Sequence, residues 1–311
     1  MVVPLSPLAE LSTMFPTLIL LALGAGSCTG LVVPLSAARP AASLAGVELL
    51  RVGDGEKIDV GAALTQAAAS EKTLLILGCH AGDFNTVEYV QRCRAFWPQL
   101  QAKGVSRCLI AVNGQASSCE TMSELLGLPD GVELLADPTG EAGRAFGVSR
   151  GWRPDDARVP PALKLFVVGI GLGPPWATLP AVLSGYVGSP GGRRAWIEAA
   201  LKQGQLAGRR PGPLPDILEL SASGEVLGNK FDDFPLVGGW GVRPLELATL
   251  RLQNLVGVQM AHWDALKPVD DRCLTQLGGC AVVGAGGEPL YSWVDGGLCD
   301  LPDFEALLDA L

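Results

Sequence analysis

Short apolar runs alternate with stretches of helical spacing through the first half of the chain. Val47-Glu-Leu-Leu-Arg-Val52 reads as a strand. Gly53-Asp-Gly-Glu56 after it reads as a hairpin turn, because Asp-Gly accommodates the positive φ that such turns require. Asp59 is placed to cap a helix over 62–69 by accepting from an otherwise unpaired backbone N–H. Leu74 to Leu77 is a continuous apolar run, as expected of a central strand covered on both faces. From Phe84 to Ala102, Val87, Val90, Phe96, Trp97 and Leu100 fall mostly on one helical side. Pro98 is expected to kink or divide that helix. A strand over 108–112 follows, then a helix through Leu126 with Ser117-Ser118 ahead of Glu120 as its cap. The next strand covers 132–135, and a short helix over 141–148 is closed by Gly147. Such alternation predicts a mostly parallel sheet with helices on both faces.

The second half is less regular. Helices are expected over 161–168 and beginning at Leu179 and Arg193. A Pro/Gly-rich linker over 206–215, a hairpin over 217–227 and a long helix from Pro244 come next. Cys280-Ala-Val-Val283, the turn 284–288 and Leu290-Tyr-Ser-Trp293 form a second hairpin. Residues 300–311 supply a closing amphipathic helix.

Several segments carry a family likeness. Thr73-Leu-Leu-Ile-Leu-Gly-Cys-His-Ala-Gly-Asp-Phe-Asn-Thr-Val-Glu-Tyr89 resembles the strand-loop-helix of the AhpC/TSA group in the thioredoxin superfamily. Ala136-Asp-Pro-Thr-Gly-Glu-Ala-Gly-Arg-Ala-Phe-Gly-Val148 is similar to the Asp-Pro, short helix and Phe-Gly-Val pattern of peroxiredoxin-like proteins. Arg243-Pro-Leu-Glu-Leu-Ala-Thr-Leu-Arg-Leu-Gln-Asn254, with Leu274-Thr-Gln-Leu-Gly-Gly279, resembles the peroxiredoxin-like 2 type of cyanobacteria and plastids. Gly169-Ile-Gly-Leu-Gly-Pro174 and Leu183-Ser-Gly-Tyr-Val-Gly188 also fit that type. The likeness runs from Val47 to the C-terminus. It implies an α/β thioredoxin-like mixed sheet built from 44–150 and 273–311, with 151–272 as a long, mainly helical insertion before the final hairpin. It also implies a reactive cysteine in the first turn of the helix after the central strand, where backbone N–H groups and the helix dipole lower a thiol pKa. Glu88 stands in that cysteine's place. Leu277 stands where the relatives' Gln-Arg-Gly-Gly pattern has an arginine. Conventional peroxidase activity is therefore not expected.

Composition narrows the partners. The chain has 311 residues, long enough for one large domain or two small ones. Hydrophobic residues at 48% and charged residues at 18% describe a globular chain with a sizeable core. A net charge of −9 without a dense basic cluster excludes nucleic acid as the expected partner. Residues 1–43 read as a signal-plus-transit presequence: an apolar run over Leu18–Gly26, small residues through Cys28, then a Ser/Ala-rich basic stretch. The address this suggests is a plastid, with plain secretion as the alternative. The apolar run falls short of the ~20 residues a spanning helix needs, so no stable membrane span is expected in the mature chain.

The chemistry-bearing residues are few. Eight cysteines, without a CxxC, make no disulfide framework by spacing. Cys93, Cys108 and Cys119 sit in apolar or helical surroundings and read as buried thiols. No metal site is expected, because the only histidines are His80 and His262 and the Cys273/Cys280 interval is wrong for a zinc knuckle. No cofactor is expected either. Gly169, Gly171 and Gly173 precede Pro174 without a following βαβ unit, which suits a helix terminator better than a dinucleotide loop. His262 reads as packed or solvated. Asp232-Asp233 and Asp270-Asp271 read as loop and cap residues. The apolar face of the late helix (Leu247, Leu250, Val258) reads as core, or as a docking face.

The candidate catalytic residues are Cys79 and Cys280. Cys79 ends the central strand, at the edge where α/β folds place their sites. Cys280 opens the strand of the last hairpin, so the two are expected on neighbouring edges, with Cys79 meeting Cys280 or tuned by His80. An exchange-competent thiol pair and two merely packed strand-end thiols both fit. Two functions follow. One is a plastid peroxiredoxin-like protein with a thiol-redox or antioxidant association, recycled by a thioredoxin-type reductant. The other is a redox-inactive binding module or accessory subunit of a plastid complex.

Overall fold

The computed structural model describes residues 40–66, 71–169, 171, 178, 181, 195–212, 214–233 and 244–311. The expected presequence up to residue 39, the Gly-Pro turn over 172–177 and most of the helix expected from Leu179 lie outside the described residues.

In chain order the elements are α1 (Pro40–Ser43), β1 (Glu48–Arg51), β2 (Lys57–Asp59), α2 (Val60–Thr65), β3 (Lys72–Leu77), α3 (Phe84–Ala102), β4 (Val105–Val112), α4 (Ala116–Leu126), β5 (Val132–Ala136) and α5 (Glu141–Phe146). They continue as α6 (Pro161–Gly169), α7 (Ala195–Leu206), β6 (Leu218–Leu220), β7 (Val226–Asn229), α8 (Pro244–Asn254), α9 (Trp263–Leu266), β8 (Gly279–Val283), β9 (Pro289–Val294) and α10 (Phe304–Asp309). A π-helical turn over Leu255–Met260 extends α8.

The fold is α/β. Seven strands form one mixed sheet in the order β2-β1-β5-β4-β3-β8-β9. The centre is parallel: β3 pairs with β4 (Leu74 opposite Cys108, Leu77 opposite Ala111), and β4 pairs with β5. Parallel neighbours need crossovers, and α3 and α4 provide them. On the other side of β3, β8 runs antiparallel, with Ile76 opposite Cys280, and β9 completes the edge.

Strand alternation sorts the side chains into two cores. Leu74, Ile76, Cys108, Ile110, Cys280 and Val282 face one, and Leu75, Leu77, Leu109, Ala111, Ala281 and Val283 face the other. The first core takes α3, α4 and α10, together with Trp196 and Ile197 of α7 and Leu247 and Leu250 of α8. The second takes Ala41, Leu44 and Leu64. Chain from Pro40 onward thus packs against the sheet, inside the stretch whose composition suggests a presequence.

Local signals worked where the chemistry was local. Asp59 accepts from Ala62 N at 2.9 Å and starts α2. Gly147, at φ 101°, closes α5 with its N–H on Arg144 O and Gly143 O. Two expectations need correction. α3 runs through Pro98 as one helix, so of the kink or division expected there the division does not occur. Ser117 and Ser118 are inside α4, whose N-cap is Gln115 without a side-chain hydrogen bond. Among the described residues no helix is long and apolar enough to cross a membrane.

Candidate functional site

The chain leaves β3 at Leu77 and turns through Gly78-Cys-His-Ala-Gly-Asp83 into α3. Asp83 adopts an extended backbone, and its Oδ2 accepts from Thr86 N at 3.1 Å. That capping bond fixes where α3 begins and therefore where Asn85, Glu88 and Tyr89 point.

Glu88 is buried in the first core side of this loop, at 1% exposure. Its carboxylate accepts from Arg92 Nη2 at 2.5 Å, one turn along α3, and from Arg251 Nε and Nη2 at 3.0 and 3.2 Å. Burial pushes the carboxyl up, but the charges of Arg251 and Arg92 outweigh it and hold it below the usual glutamate value. Arg92 is itself fixed: Nη1 donates to Pro302 O at 2.7 Å, and the guanidinium lies 4.6 Å over the Trp196 ring. Three residues further along both helices, Gln91 and Asn254 exchange two amide hydrogen bonds of 3.0 and 2.9 Å. Equal spacing on α3 and α8 puts both polar pairs in one seam. The seam is an anchor between helices, with both Glu88 oxygens engaged by guanidinium N–H groups. Leu277, in the position where the family likeness implies an arginine, is buried, and its N–H donates to Ser149 O at 2.8 Å. The cations beside position 88 are Arg92 of α3 and Arg251 of α8.

A second group lies beside the first. Asp295, buried just after β9, accepts from Tyr89 Oη at 2.6 Å and from Asn85 Nδ2 at 2.7 Å. Burial raises its carboxyl well above the ordinary value, against the opposing effect of those two donors. Asn85 also receives Cys299 N on Oδ1 at 2.6 Å, holding Cys299 at φ 66°, a left-handed conformation that side chains disfavour. The Cys299 thiol is pushed up to about 11, chiefly by burial. Tyr89→Phe removes one of the Asp295 donors without a replacement, and a loss of about 1–3 kcal/mol is expected in urea unfolding.

The two candidate thiols do not form a pair. Both are free cysteines. Cys280 faces the first core, near Cys93 and Cys108, whose sulfurs are 3.8 Å apart. Cys79 instead donates to Cys273 O at 3.2 Å, on the loop before β8. Cys79 lies two residues past the end of β3, in the loop to α3, whereas Cys280 lies within β8 opposite Ile76. Burial raises both thiols well above their ordinary value. Neither has the electropositive, accessible setting of a reactive thiolate.

Cys79 does meet His80, together with Asp83. One sulfur, nitrogen or carboxylate oxygen from each lies within 4.8 Å of the others, and all three residues are buried. Burial lowers the His80 imidazole to about 4 and raises Asp83 to about 6. Trp263 of α9 packs edge-on against the His80 ring, with centroids 5.5 Å apart. Spacing rules for zinc look for separated ligand pairs, so three ligands inside one five-residue loop gave no such signal. His262 is half-buried in the turn before α9, and Asp270 accepts from Arg272 N at 2.9 Å as a cap. The sequence matches no protein-family model and no curated protein.

Proposed function

We propose that this chain is a peroxiredoxin-like protein of thioredoxin-like fold that has abandoned peroxidase chemistry and serves as a redox-inactive binding module, an accessory subunit of a plastid complex. The observation that carries this reading is Glu88, ionised and held by Arg92 and Arg251. A peroxidase of this type needs a thiolate there, free to attack and flanked by unspent donors. A carboxylate bound by two guanidinium groups offers no thiolate nucleophile. The fold assignment draws support from β3, flanked by parallel β4 and antiparallel β8 and followed directly by α3. On this reading 151–272 is an insertion whose helices α7 and α8 pack on α3 and cover the former site. Delivery to a plastid rests on the composition of the amino-terminal stretch and is tested by following a fluorescent fusion of the full chain.

A thiol-redox role with a thioredoxin-type reductant is the second reading, favoured by the placement of Cys79 against His80. Peroxide consumption in a thioredoxin recycling system separates the two. Background rates are expected for wild type and Cys79→Ser alike. Turnover in wild type that disappears in Cys79→Ser would establish the redox reading instead.

A further inference from the structure

We propose that Cys79, His80 and Asp83 form a binding site for a divalent transition metal of the zinc class, with Sγ, one imidazole nitrogen and one carboxylate oxygen as its protein ligands. Three observations carry this. The ligand atoms already converge within 4.8 Å, on a loop held at both ends by β3 and α3. The residues are at most 6% exposed, so water cannot readily serve their polar atoms. His80 supplies the third: neither Nδ1 nor Nε2 makes a hydrogen bond of good geometry, and the Leu266 carbonyl, the one backbone acceptor near the ring, can serve a single N–H and leaves the other nitrogen unpartnered. A buried imidazole nitrogen without a partner is costly, and a bound cation would use it.

The charges balance as burial requires. A thiolate, a carboxylate and a neutral imidazole together neutralise a doubly charged ion, with the thiol proton released on binding. The donor set of one soft sulfur, one imidazole and one carboxylate suits zinc or cobalt and disfavours magnesium and calcium. Three protein ligands leave a fourth tetrahedral position open. Asp83 can serve both tasks, because Oδ2 takes the Thr86 N–H while the carboxylate keeps lone pairs for a metal. The same cap orients the ligand, as outer-shell hydrogen bonds do in metal sites. This inference is independent of the module and redox readings and survives either outcome of the peroxide assay.

Cobalt(II) is the probe, added to the chelator-stripped, reduced full chain. Expected is one cobalt per chain, with a near-ultraviolet sulfur-to-cobalt band that zinc displaces and Cys79→Ser abolishes. His80→Gln is expected to weaken binding about tenfold or more. Asp83→Asn retains a good helix cap and should weaken binding while circular dichroism stays unchanged. Absence of the sulfur band in wild type, or a band that persists in Cys79→Ser, overturns the proposal. If Cys79→Ser does not fold, unchanged cobalt affinity in Asp83→Asn overturns it equally.

Discussion

Arg251→Met is expected to cost about 3–5 kcal/mol of folding free energy, measured by urea unfolding, because it strands the Glu88 carboxylate in the core with Arg92 alone. Arg251 side-chain exposure is 6% and that of Glu88 is 2%, so solvent cannot replace the lost partner. The figure is a cost of breaking the pair; the intact pair's net value is smaller, since both ions were desolvated to form it. The pH dependence has a definite sign. Glu88 is held below its ordinary value of 4.5, so its contribution is complete above that value and is lost as pH falls through the lower folded one. The gap between wild type and Arg251→Met should therefore narrow on acidification. A gap that stays constant, or widens, would mean that Glu88 is not the group Arg251 stabilises. Loosening of α8 from α3 should accompany the loss and appear as faster amide exchange in both helices.

Gly278→Ala is expected to be comparably severe, at about 3 kcal/mol, though by crowding and not by charge. A Cβ there would lie 2.5 Å from the Leu77 carbonyl oxygen and 2.9 Å from Asp295 Oδ2. The first clash is with backbone in the sheet, which a side-chain rotation cannot relieve. Relief requires β8 to move from β3, and Asp295, whose N–H donates to Gly278 O at 2.9 Å, moves with it. The Tyr89 and Asn85 hydrogen bonds to Asp295 would then stretch, so instability should come with a changed tyrosine environment in near-ultraviolet circular dichroism. Wild-type stability in this variant would show that the β3–β8 junction has slack the distances deny.

What could be read from the sequence was what local physics determines. The run Leu74–Leu77, the Asp59 cap and the Gly147 stop each declare themselves within a few residues, and all three stand in the fold. Glu88 was visible as a residue in an unexpected place. Its partner was not: Arg251 is 163 residues away, and the spacing of α8 showed only its apolar face. Side-chain pairing across that distance depends on how α8 docks, which no periodicity encodes. Cys79 and Cys280 failed as a pair for a related reason. Both lie near adjacent strand ends, but Cys79 falls in the loop after β3 with its thiol on Cys273 O, while Cys280 falls inside β8 opposite Ile76, and register decides which residues meet. Position along the chain located the edge without giving the register. The Cys79, His80 and Asp83 cluster lay in plain sequence, hidden because a loop's turns, not its spacing, bring such ligands together.

Glu88 is a structural anchor for α8 at the position where the peroxiredoxin-like resemblance implies a reactive thiol. A double-mutant cycle over Glu88→Gln and Arg251→Met measures that directly. A coupling free energy of about 2 kcal/mol is expected, because each residue's burial depends on the other. Additive effects, with coupling near zero, would show that the two side chains do not hold one another and would contradict that anchoring.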